Sequence, residues 1–192
     1  MNPAPNLVLV GPMGAGKSSV GRRLAERFGL AFADADREIE RLTGASVTTI
    51  FECEGEAGFR ARERAVLAEL LAASDIVIAT GGGAVLDPGN RALLRERGFV
   101  VYLHVGVDGQ LARLARDRIR PLLRASAGDG EDRETVLRRL ADVREPLYAE
   151  IADMRFDTGT TAPAEAAAEL GHLLETRWQR RFAADGMRGQ AS

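Results

Sequence analysis

Several residue types that mark particular classes of protein are scarce in this sequence. Its 192 residues include one cysteine, Cys53, which excludes an intramolecular disulfide and a cysteine metal cluster. The two histidines, His104 and His172, lack metal-ligand spacing, so we expect both to be structural. There is no run of 18 apolar residues and no basic-then-apolar leader, so the sequence predicts neither a membrane span nor a targeting segment.

The net charge is also small. It is −2 at pH 7, although 28% of the residues are charged, and this gives no support to attraction by nucleic acid or an acidic membrane. A hydrophobic fraction of 45% is ordinary for a soluble globular protein, and the length suits one domain with a sizeable core. We therefore expect a cytoplasmic protein that binds neither nucleic acid nor membrane.

Lysine is as rare as cysteine, because Lys17 is the only lysine among 26 lysines and arginines. Lys17 lies in a loop whose pattern is typical of phosphate binding, and there the compact point charge of lysine suits a phosphate better than the planar fork of arginine does. The apolar residues 7–10 predict a strand buried on both faces, and Gly11–Ser18 follow with the phosphate-loop pattern G-x-x-x-x-G-K-[ST]. The alternative, a glycine-rich turn without a ligand, is disfavoured because a strand precedes the loop and an amphipathic helix, 17–28, follows it.

Each residue type in this loop fits a role in holding phosphate. Gly11, Gly14 and Gly16 allow sharp turns that bring backbone N–H groups close to an anion. The helix that begins near Lys17 directs the positive end of its dipole at the same anion. The ammonium of Lys17 suits the outer phosphates, and the hydroxyl of Ser18 suits Mg²⁺.

Strands and helices alternate along the rest of the chain, which predicts a parallel sheet covered by helices on both faces. The predicted strands are 7–10, 31–33, 75–80, 99–105 and 154–157. The predicted helices are 17–28, 37–42, 47–54, 59–73, 88–97, 108–117, 133–152 and 162–181. Residues 118–132 predict a mobile loop and 183–192 a frayed tail. Ligands of such sheets bind at the carboxyl ends of the strands.

A phosphate loop needs a second magnesium anchor, usually an acid at the end of a neighbouring strand. The strand 75–80 ends in glycines, so the acid must come from Asp34 or Asp36, which follow the second strand. In an extended segment both carboxylates face the same way, so one could bind Mg²⁺ while the other accepts a hydroxyl proton. An equally good interpretation makes Asp36 the N-cap of the next helix.

Other candidates carry less information on their own. Gly81–Gly83 allow close approach to a ligand or simply form a flexible turn. Arg60 and Arg144, taken by themselves, are more typical of solvated surface positions than of a binding site. Five arginines lead into the 118–132 loop, where one could fold over phosphates, or they could form a charged helix face: Arg113, Arg116, Arg118, Arg120 and Arg124.

Taken together, the motifs resemble the shikimate kinase family across residues 7–174. The matching stretches, in family order, are LVGPMGAGKSS, DADREIE, RLTG, IFECEGEAGFR-ARE, ATGGGAV, VVYL, RPLL and REPLY. The resemblance implies an α/β P-loop kinase fold of three layers, in which helices flank a parallel five-stranded sheet. Such a fold is like that of the nucleoside monophosphate kinases and includes a lid. It implies an enzyme that uses ATP to phosphorylate the 3-hydroxyl of shikimate, a step of aromatic amino-acid synthesis, and acts as a monomer.

The resemblance also implies residue roles. Lys17, Asp36 and Arg120 would be catalytic, with Asp36 as the base and Arg120 as the lid arginine at the transferring phosphate. ATP would be held by Gly14, Ala15, Gly16, Lys17, Ser18, Ser19, Arg120 and, near the adenine, by Arg113 and Thr161. Shikimate would be bound by Asp36, Arg60, Gly82 and Arg144, with Glu63 orienting Arg60. Mg²⁺ would be held by Ser18 and Asp34, and the pocket walled by Val47, Phe51 and Phe59.

The implied organisation is a single domain, 1–175, with a substrate-binding subregion at 36–62, a lid at 115–132 and a C-terminal extension at 176–192. The chain between RPLL and REPLY is a few residues longer than in many members of the family. Two alternatives stay open at this point. Another small-molecule kinase, such as a gluconate kinase, would share the phosphate loop and lid. A non-catalytic nucleotide-binding domain would be expected to lack Asp36, Arg60 or Arg120.

Overall fold

The structure is a computed structural model that describes residues 4–115, 132–159 and 161–178. Its strands are β1 (Asn6–Val10), β2 (Ala31–Asp34), β3 (Ile76–Ala79), β4 (Gly98–His104) and β5 (Met154–Asp157). Its α-helices are α1 (Lys17–Phe28), α2 (Ala35–Thr43), α3 (Val47–Ala72), α4 (Pro88–Arg97), α5 (Val107–Leu114), α6 (Arg133–Ile151) and α7 (Pro163–Arg177). A single 3-10 turn covers Ala84–Leu86.

The five strands form one sheet in the order β2-β3-β1-β4-β5, and every pairing is parallel. The α/β architecture predicted from the sequence is therefore confirmed. Strand β1 lies at the centre and is buried along its whole length, as its continuous apolar run indicated. Alternate residues of β1 face opposite sides of the sheet. Leu7 and Leu9 join the core beneath α1 and α7, whereas Val8 and Val10 join the core beneath α3, α4 and α6.

Parallel pairing brings all the carboxyl ends of the strands to one edge of the sheet. The phosphate loop follows β1, Asp34 ends β2, and Gly81–Gly83 lie just beyond β3. The amino ends lie at the opposite edge, where Trp178 packs against Phe28 and Phe99 and donates from Nε1 to the Ala4 carbonyl at 2.9 Å. The candidate site residues and the contacts of Trp178 are thus at opposite ends of the sheet.

The ends of several predicted helices differ from the structure. Helix α2 begins at Ala35 rather than at residue 37, because Asp34 caps it. The two helices predicted at 47–54 and 59–73 are confirmed as two helical segments within α3, separated by a kink at Gly55, whose φ of 69° and ψ of −176° are not helical. Helix α5 ends at Leu114 rather than at residue 117. Residues 116–131 and 179–192, with most of the predicted lid and the predicted tail, lie outside the described residues.

Among the described helices, none is both long and apolar enough to cross a membrane.

Candidate active site

The phosphate loop is shaped by glycines in backbone conformations that other residues rarely adopt. Gly11, Gly14 and Gly16 have φ of 142°, 79° and 89°. A Cβ on Gly11 would also overlap the carbonyl oxygen of Leu103 in β4, so only glycine fits there. Gly16 is the N-cap of α1 and has no side chain to cap it, which leaves the helix N-terminus suited to an anion.

The ammonium of Lys17 lies inside this loop. Its Nζ donates to the carbonyl oxygens of Gly11 and Pro12, both at 2.8 Å. These contacts hold a positive charge at the place where the loop glycines and the start of α1 converge. Gly14, Ala15, Gly16, Ser18 and Ser19, which the sequence predicts as phosphate-binding residues, lie in this loop and the first turn of α1.

Ser18 and Asp34 form a pair that links α1 to the end of β2. The Ser18 hydroxyl donates to Oδ2 of Asp34 at 2.5 Å, and Oδ1 of Asp34 accepts from the backbone N–H of Arg37 at 3.3 Å. A hydroxyl and a carboxylate beside a phosphate loop are oxygen ligands of the kind that Mg²⁺ takes together with waters and phosphates. The donor set therefore fits a magnesium ion shared with a nucleotide.

Asp34, and not Asp36, is the N-cap of α2, so the interpretation of Asp36 as a helix cap is wrong. The extended geometry that we expected for both residues is also wrong, because Asp36 lies in the first turn of the helix. The two carboxylates still interact. Burial first, and then the negative charges of Asp34 and Glu63, raise the pKa of Asp36 to about 6, against the opposing effect of Lys17.

Arg60 is held by acidic residues on its own helix, α3. Its Nη1 donates to Oε2 of Glu63 at 2.7 Å, and its Nη2 lies 3.2 Å from Oε1 of Glu56. Burial lowers the pKa of Arg60, but the two carboxylates outweigh that effect and raise it, so the guanidinium is charged. The surface-arginine interpretation is therefore wrong for Arg60, whose side chain is only 18% exposed.

Glu63 itself is fully buried, and burial raises its pKa in spite of Arg60. Its second oxygen, Oε1, has no hydrogen-bond partner within the described part of the chain. An orphan buried carboxylate oxygen is costly unless a ligand or water satisfies it. Glu63 therefore both holds Arg60 and leaves an acceptor available for a donor group of a ligand.

The glycine triplet, Gly81–Gly83, is surrounded by charged groups. A Cβ on the first glycine would lie 2.7 Å from Oδ1 of Asp36 and 2.9 Å from Oε1 of Glu63. On the second it would lie 3.6 Å from Nη1 of Arg144, and on the third 2.7 Å from Nη1 of Arg60. None of the three has a positive φ, so Gly81 and Gly83 are needed for space and not for a special turn, whereas a Cβ on Gly82 would make only ordinary contacts.

The triplet thus brings together residues that are far apart in the sequence. Asp36 comes from α2, Arg60 from α3 and Arg144 from α6, and all three approach three consecutive glycines beside the phosphate loop. A Cβ on Gly82 would also lie 3.7 Å from the Gly11 carbonyl oxygen and the Met13 nitrogen. Two arginines and an acceptor carboxylate around one small space suit a ligand that carries both a carboxylate and hydroxyl groups.

The predicted wall residues form one apolar cluster beside Arg60. The rings of Phe51 and Phe59 are 4.6 Å apart between centroids, and the Arg60 guanidinium lies 5.4 Å from the centre of the Phe59 ring. Val47 belongs to the same cluster. This apolar cluster packs against Arg60 and so helps to hold its guanidinium in place.

Arg113 connects the phosphate loop to the chain after β5. Its guanidinium donates to the carbonyl oxygens of Gly14 at 2.7 Å, Gly159 at 2.6 Å and Thr158 at 3.1 Å, with a longer bond of 3.5 Å to Thr161. The two residues predicted to lie near adenine, Arg113 and Thr161, are therefore neighbours on the outer side of the phosphate loop. Arg120 lies outside the described residues.

Sequence reasoning missed one contact of the triplet. The hydroxyl of Tyr148 donates to the Gly82 carbonyl oxygen at 2.5 Å. The available signal was the spacing of Arg144 and Tyr148, since residues four apart lie on the same face of a helix.

Comparison with known proteins places these features in a family. A family model described as shikimate kinase matches residues 13–175. A shikimate kinase of Stenotrophomonas maltophilia strain K279a is 58% identical over 180 residues, which cover 94% of this chain and 97% of that protein. A shikimate kinase of Xanthomonas campestris pv. campestris strain 8004 is 57% identical over 179 residues, covering 93% and 97%.

Solved structures agree with the sequence comparison. The shikimate kinase from Acinetobacter baumannii in complex with shikimate is 48% identical and superposes with a TM-score of 0.83, covering 91% of this chain and 94% of that one. The shikimate kinase from Aquifex aeolicus is 30% identical with a TM-score of 0.72, covering 88% and 96%.

Proposed function

The chain belongs to the shikimate kinase family, and on that premise we propose that its site transfers the γ-phosphoryl group of ATP to the 3-hydroxyl of shikimate. The products are shikimate 3-phosphate and ADP. The observation that carries this proposal is the convergence of Asp36, Arg60 and Arg144 on the glycine triplet beside the phosphate loop. A buried carboxyl group with a raised pKa at that position is typical of sites that carry out acid–base chemistry.

The charge balance of the substrate side supports a carboxylate ligand. Arg60 and Arg144 approach neighbouring glycines, and both lie close enough to Glu63 for their charges to oppose the rise in its pKa that burial causes. A ligand carboxylate placed between the two guanidinium groups could accept hydrogen bonds from both. Arginine suits this task because its planar fork can bind a carboxylate through two parallel hydrogen bonds.

Asp36 supplies the acceptor for the hydroxyl that attacks. With a pKa near 6 it is mostly ionised at neutral pH, yet basic enough to take the proton as the new oxygen–phosphorus bond forms. The proton passes from the 3-hydroxyl to Asp36, while the bond between the γ-phosphorus and the bridging oxygen breaks and ADP leaves. Phosphoryl transfer depends mainly on such positioning and on neutralising charge.

The phosphate side of the site supplies that neutralisation. The loop residues Gly14 to Ser19 would bind the phosphates through backbone N–H groups, and Lys17 would exchange its contacts with Gly11 and Pro12 for the outer phosphates. Ser18 and Asp34 would hold Mg²⁺, which when bound neutralises phosphate charge and orients the phosphates. Arg113 and Thr161 would lie at the adenine, and Arg120 would close over the transferring phosphate.

The same proposal covers the organisation of the protein. One domain, 1–175, would contain a substrate-binding subregion at 36–62 and a lid at 115–132. It would act as a monomer in the cytoplasm, without nucleic acid or membrane partners. Monomeric action is supported because the phosphate loop, Asp36 and both arginines come from one chain.

The experiment is ADP release by the purified protein with MgATP, measured without acceptor and with shikimate, quinate or gluconate. We expect ADP to form with shikimate and not with gluconate. Equal turnover with gluconate would overturn the assigned acceptor but not phosphoryl transfer. ATP binding without turnover on any acceptor would overturn the proposal that this chain is an enzyme.

A further inference from the structure

Tyr148 makes a contact that the proposed mechanism does not use. The residue is 1% exposed on α6, and its hydroxyl donates to the carbonyl oxygen of Gly82, the middle residue of the triplet. Gly82 has no side chain that could hold its own backbone in place, and glycine loses more conformational freedom on folding than any other residue. A buried hydrogen bond to its carbonyl fixes the peptide plane on which the substrate would rest.

The same hydroxyl also reaches the substrate arginine. Tyr148 follows Arg144 by four residues, so the two side chains lie on one face of α6. Burial raises the pKa of Tyr148 in spite of the opposing effect of the nearby Arg144 guanidinium, which keeps the hydroxyl protonated and able to donate. The phenol group therefore holds one residue predicted to bind shikimate, Gly82, beside another, Arg144.

We propose that Tyr148 is a positioning residue for the substrate: its hydroxyl holds the Gly82 backbone and the Arg144 guanidinium in the arrangement that receives shikimate. This inference rests on the proposed function, because it assigns a role within the same site. Tyr148 has no contact with the reacting atoms. It acts by arranging the site before binding, so its loss would weaken substrate binding more than it slows the chemical step.

The competing explanation is that Tyr148 only fills the core. Substitution of a neighbouring tyrosine distinguishes this explanation from a positioning role. Tyr102 in β4 belongs to the same apolar cluster, and the two rings lie 5.1 Å apart between centroids. Tyr102 is also buried, but its hydroxyl has no hydrogen-bond partner among the residues that the structure describes. Tyr102→Phe therefore removes the same atom from the same cluster without removing a contact to the site.

The test compares wild type, Tyr148→Phe and Tyr102→Phe in steady-state assays with shikimate and MgATP. A lost hydrogen bond of this kind should raise the shikimate KM about 5- to 30-fold in Tyr148→Phe and leave the ATP KM within twofold. Tyr102→Phe should leave both constants within twofold of wild type. Calorimetric titration of shikimate without nucleotide should show the same loss of affinity in Tyr148→Phe, at a temperature where far-UV circular dichroism shows all three proteins folded.

The inference is overturned if the two variants have the same shikimate affinity, or if Tyr148→Phe raises the ATP KM as much as the shikimate KM. The behaviour of the wild-type protein distinguishes a failure of this inference from a failure of the proposed function. Turnover of shikimate by wild type with no difference between the variants overturns the role of Tyr148 alone. A wild-type protein that neither binds nor phosphorylates shikimate overturns both, since Gly82 would then receive no such substrate.

Discussion

The carboxyl group of Asp36 is kept in a position that favours its protonated form. Its pKa rises from an ordinary 3.8 to about 6 in the folded protein. The folded state therefore binds this proton more tightly than the unfolded state does. The stability that the proton provides is complete below pH 3.8 and is lost as the pH rises through 6.

Asp36→Asn should therefore abolish turnover and yet stabilise the protein at pH 8. The amide cannot accept a proton, and it removes a buried charge that wild type carries at that pH. A shift of about two pKa units corresponds to at most about 3 kcal/mol, so we expect a gain of about 1–3 kcal/mol in the free energy of unfolding. Urea unfolding followed by the fluorescence of Trp178, the single tryptophan, measures it. A gain as large at pH 4 as at pH 8 would contradict the assignment.

Arg60→Ala should mainly raise the shikimate KM. A hydrogen bond to a charged group contributes about 1.5–3 kcal/mol, so the increase should be roughly ten- to a hundred-fold. Arg62→Ala is the matched control, because Arg62 is exposed and pairs with Glu54 on the surface. The control should leave both constants unchanged. A rise in the ATP KM of Arg60→Ala instead would show that the arginine does not serve the acceptor.

Much of the site at this scale could be predicted from residue types and spacing. The phosphate loop follows from a local pattern, because a motif of adjacent residues is read directly from sequence, whereas the spacing of Asp36 fits a helix cap equally well. The orphan oxygen of Glu63 and the bond from Tyr148 to Gly82 could not be predicted in this way. Both depend on which helices pack against the triplet.

At the scale of elements, the turn after β3 shows how packing decides between two interpretations of one pattern. From the sequence, the triplet fits a flexible turn as well as a binding surface. The structure favours the binding surface, because side chains from α2 and α3 occupy the space that a Cβ on Gly81 or Gly83 would need, and Arg144 of α6 lies in contact range of Gly82. The glycines have negative or extended φ, so flexibility is not what the position requires.

Gly83→Ala should fold normally and bind shikimate poorly. The residue has φ −96° and ψ −1°, which alanine adopts readily, but its Cβ would displace the end of the Arg60 side chain. We expect the shikimate KM to rise at least tenfold, with little change in the ATP KM or the melting temperature. Gly106→Ala, where nothing lies within 4 Å of the new Cβ, is the control.

A double variant tests whether the glycine acts through the arginine. Since Gly83→Ala and Arg60→Ala would remove the same contact, the combination should be no worse than Arg60→Ala alone. Additive effects would mean that the alanine disturbs something other than Arg60.

The order of the strands is a property of the whole molecule that the sequence pattern does not contain. Alternating helices and strands predict a parallel sheet, but not that β1 lies between β3 and β4. The order decides that the phosphate loop, which follows β1, adjoins the glycine triplet after β3. At the amino ends of the strands, the side chain of Trp178, the residue next to the end of α7, packs against the sheet and donates a hydrogen bond to Ala4.

Trp178→Phe should lower stability without changing catalysis. It removes the hydrogen bond to Ala4 and part of the packing against Phe28 and Phe99, at the edge of the sheet away from the site. We expect a loss of about 1–3 kcal/mol in the free energy of unfolding, measured by circular dichroism in urea. Leu173→Ala, an exposed position on the same helix, should have little effect. An altered KM for either substrate would show that the two edges are coupled.

The single lysine has a practical consequence for the intact protein. Apart from the α-amine of the chain, an amine-selective acylating reagent has only one target, and that target lies in the phosphate loop against the carbonyl oxygens of Gly11 and Pro12. Phosphates bound in the loop would cover the same nitrogen. The mass added at Lys17 would therefore report the fraction of molecules with an occupied nucleotide site, with no mutation to make.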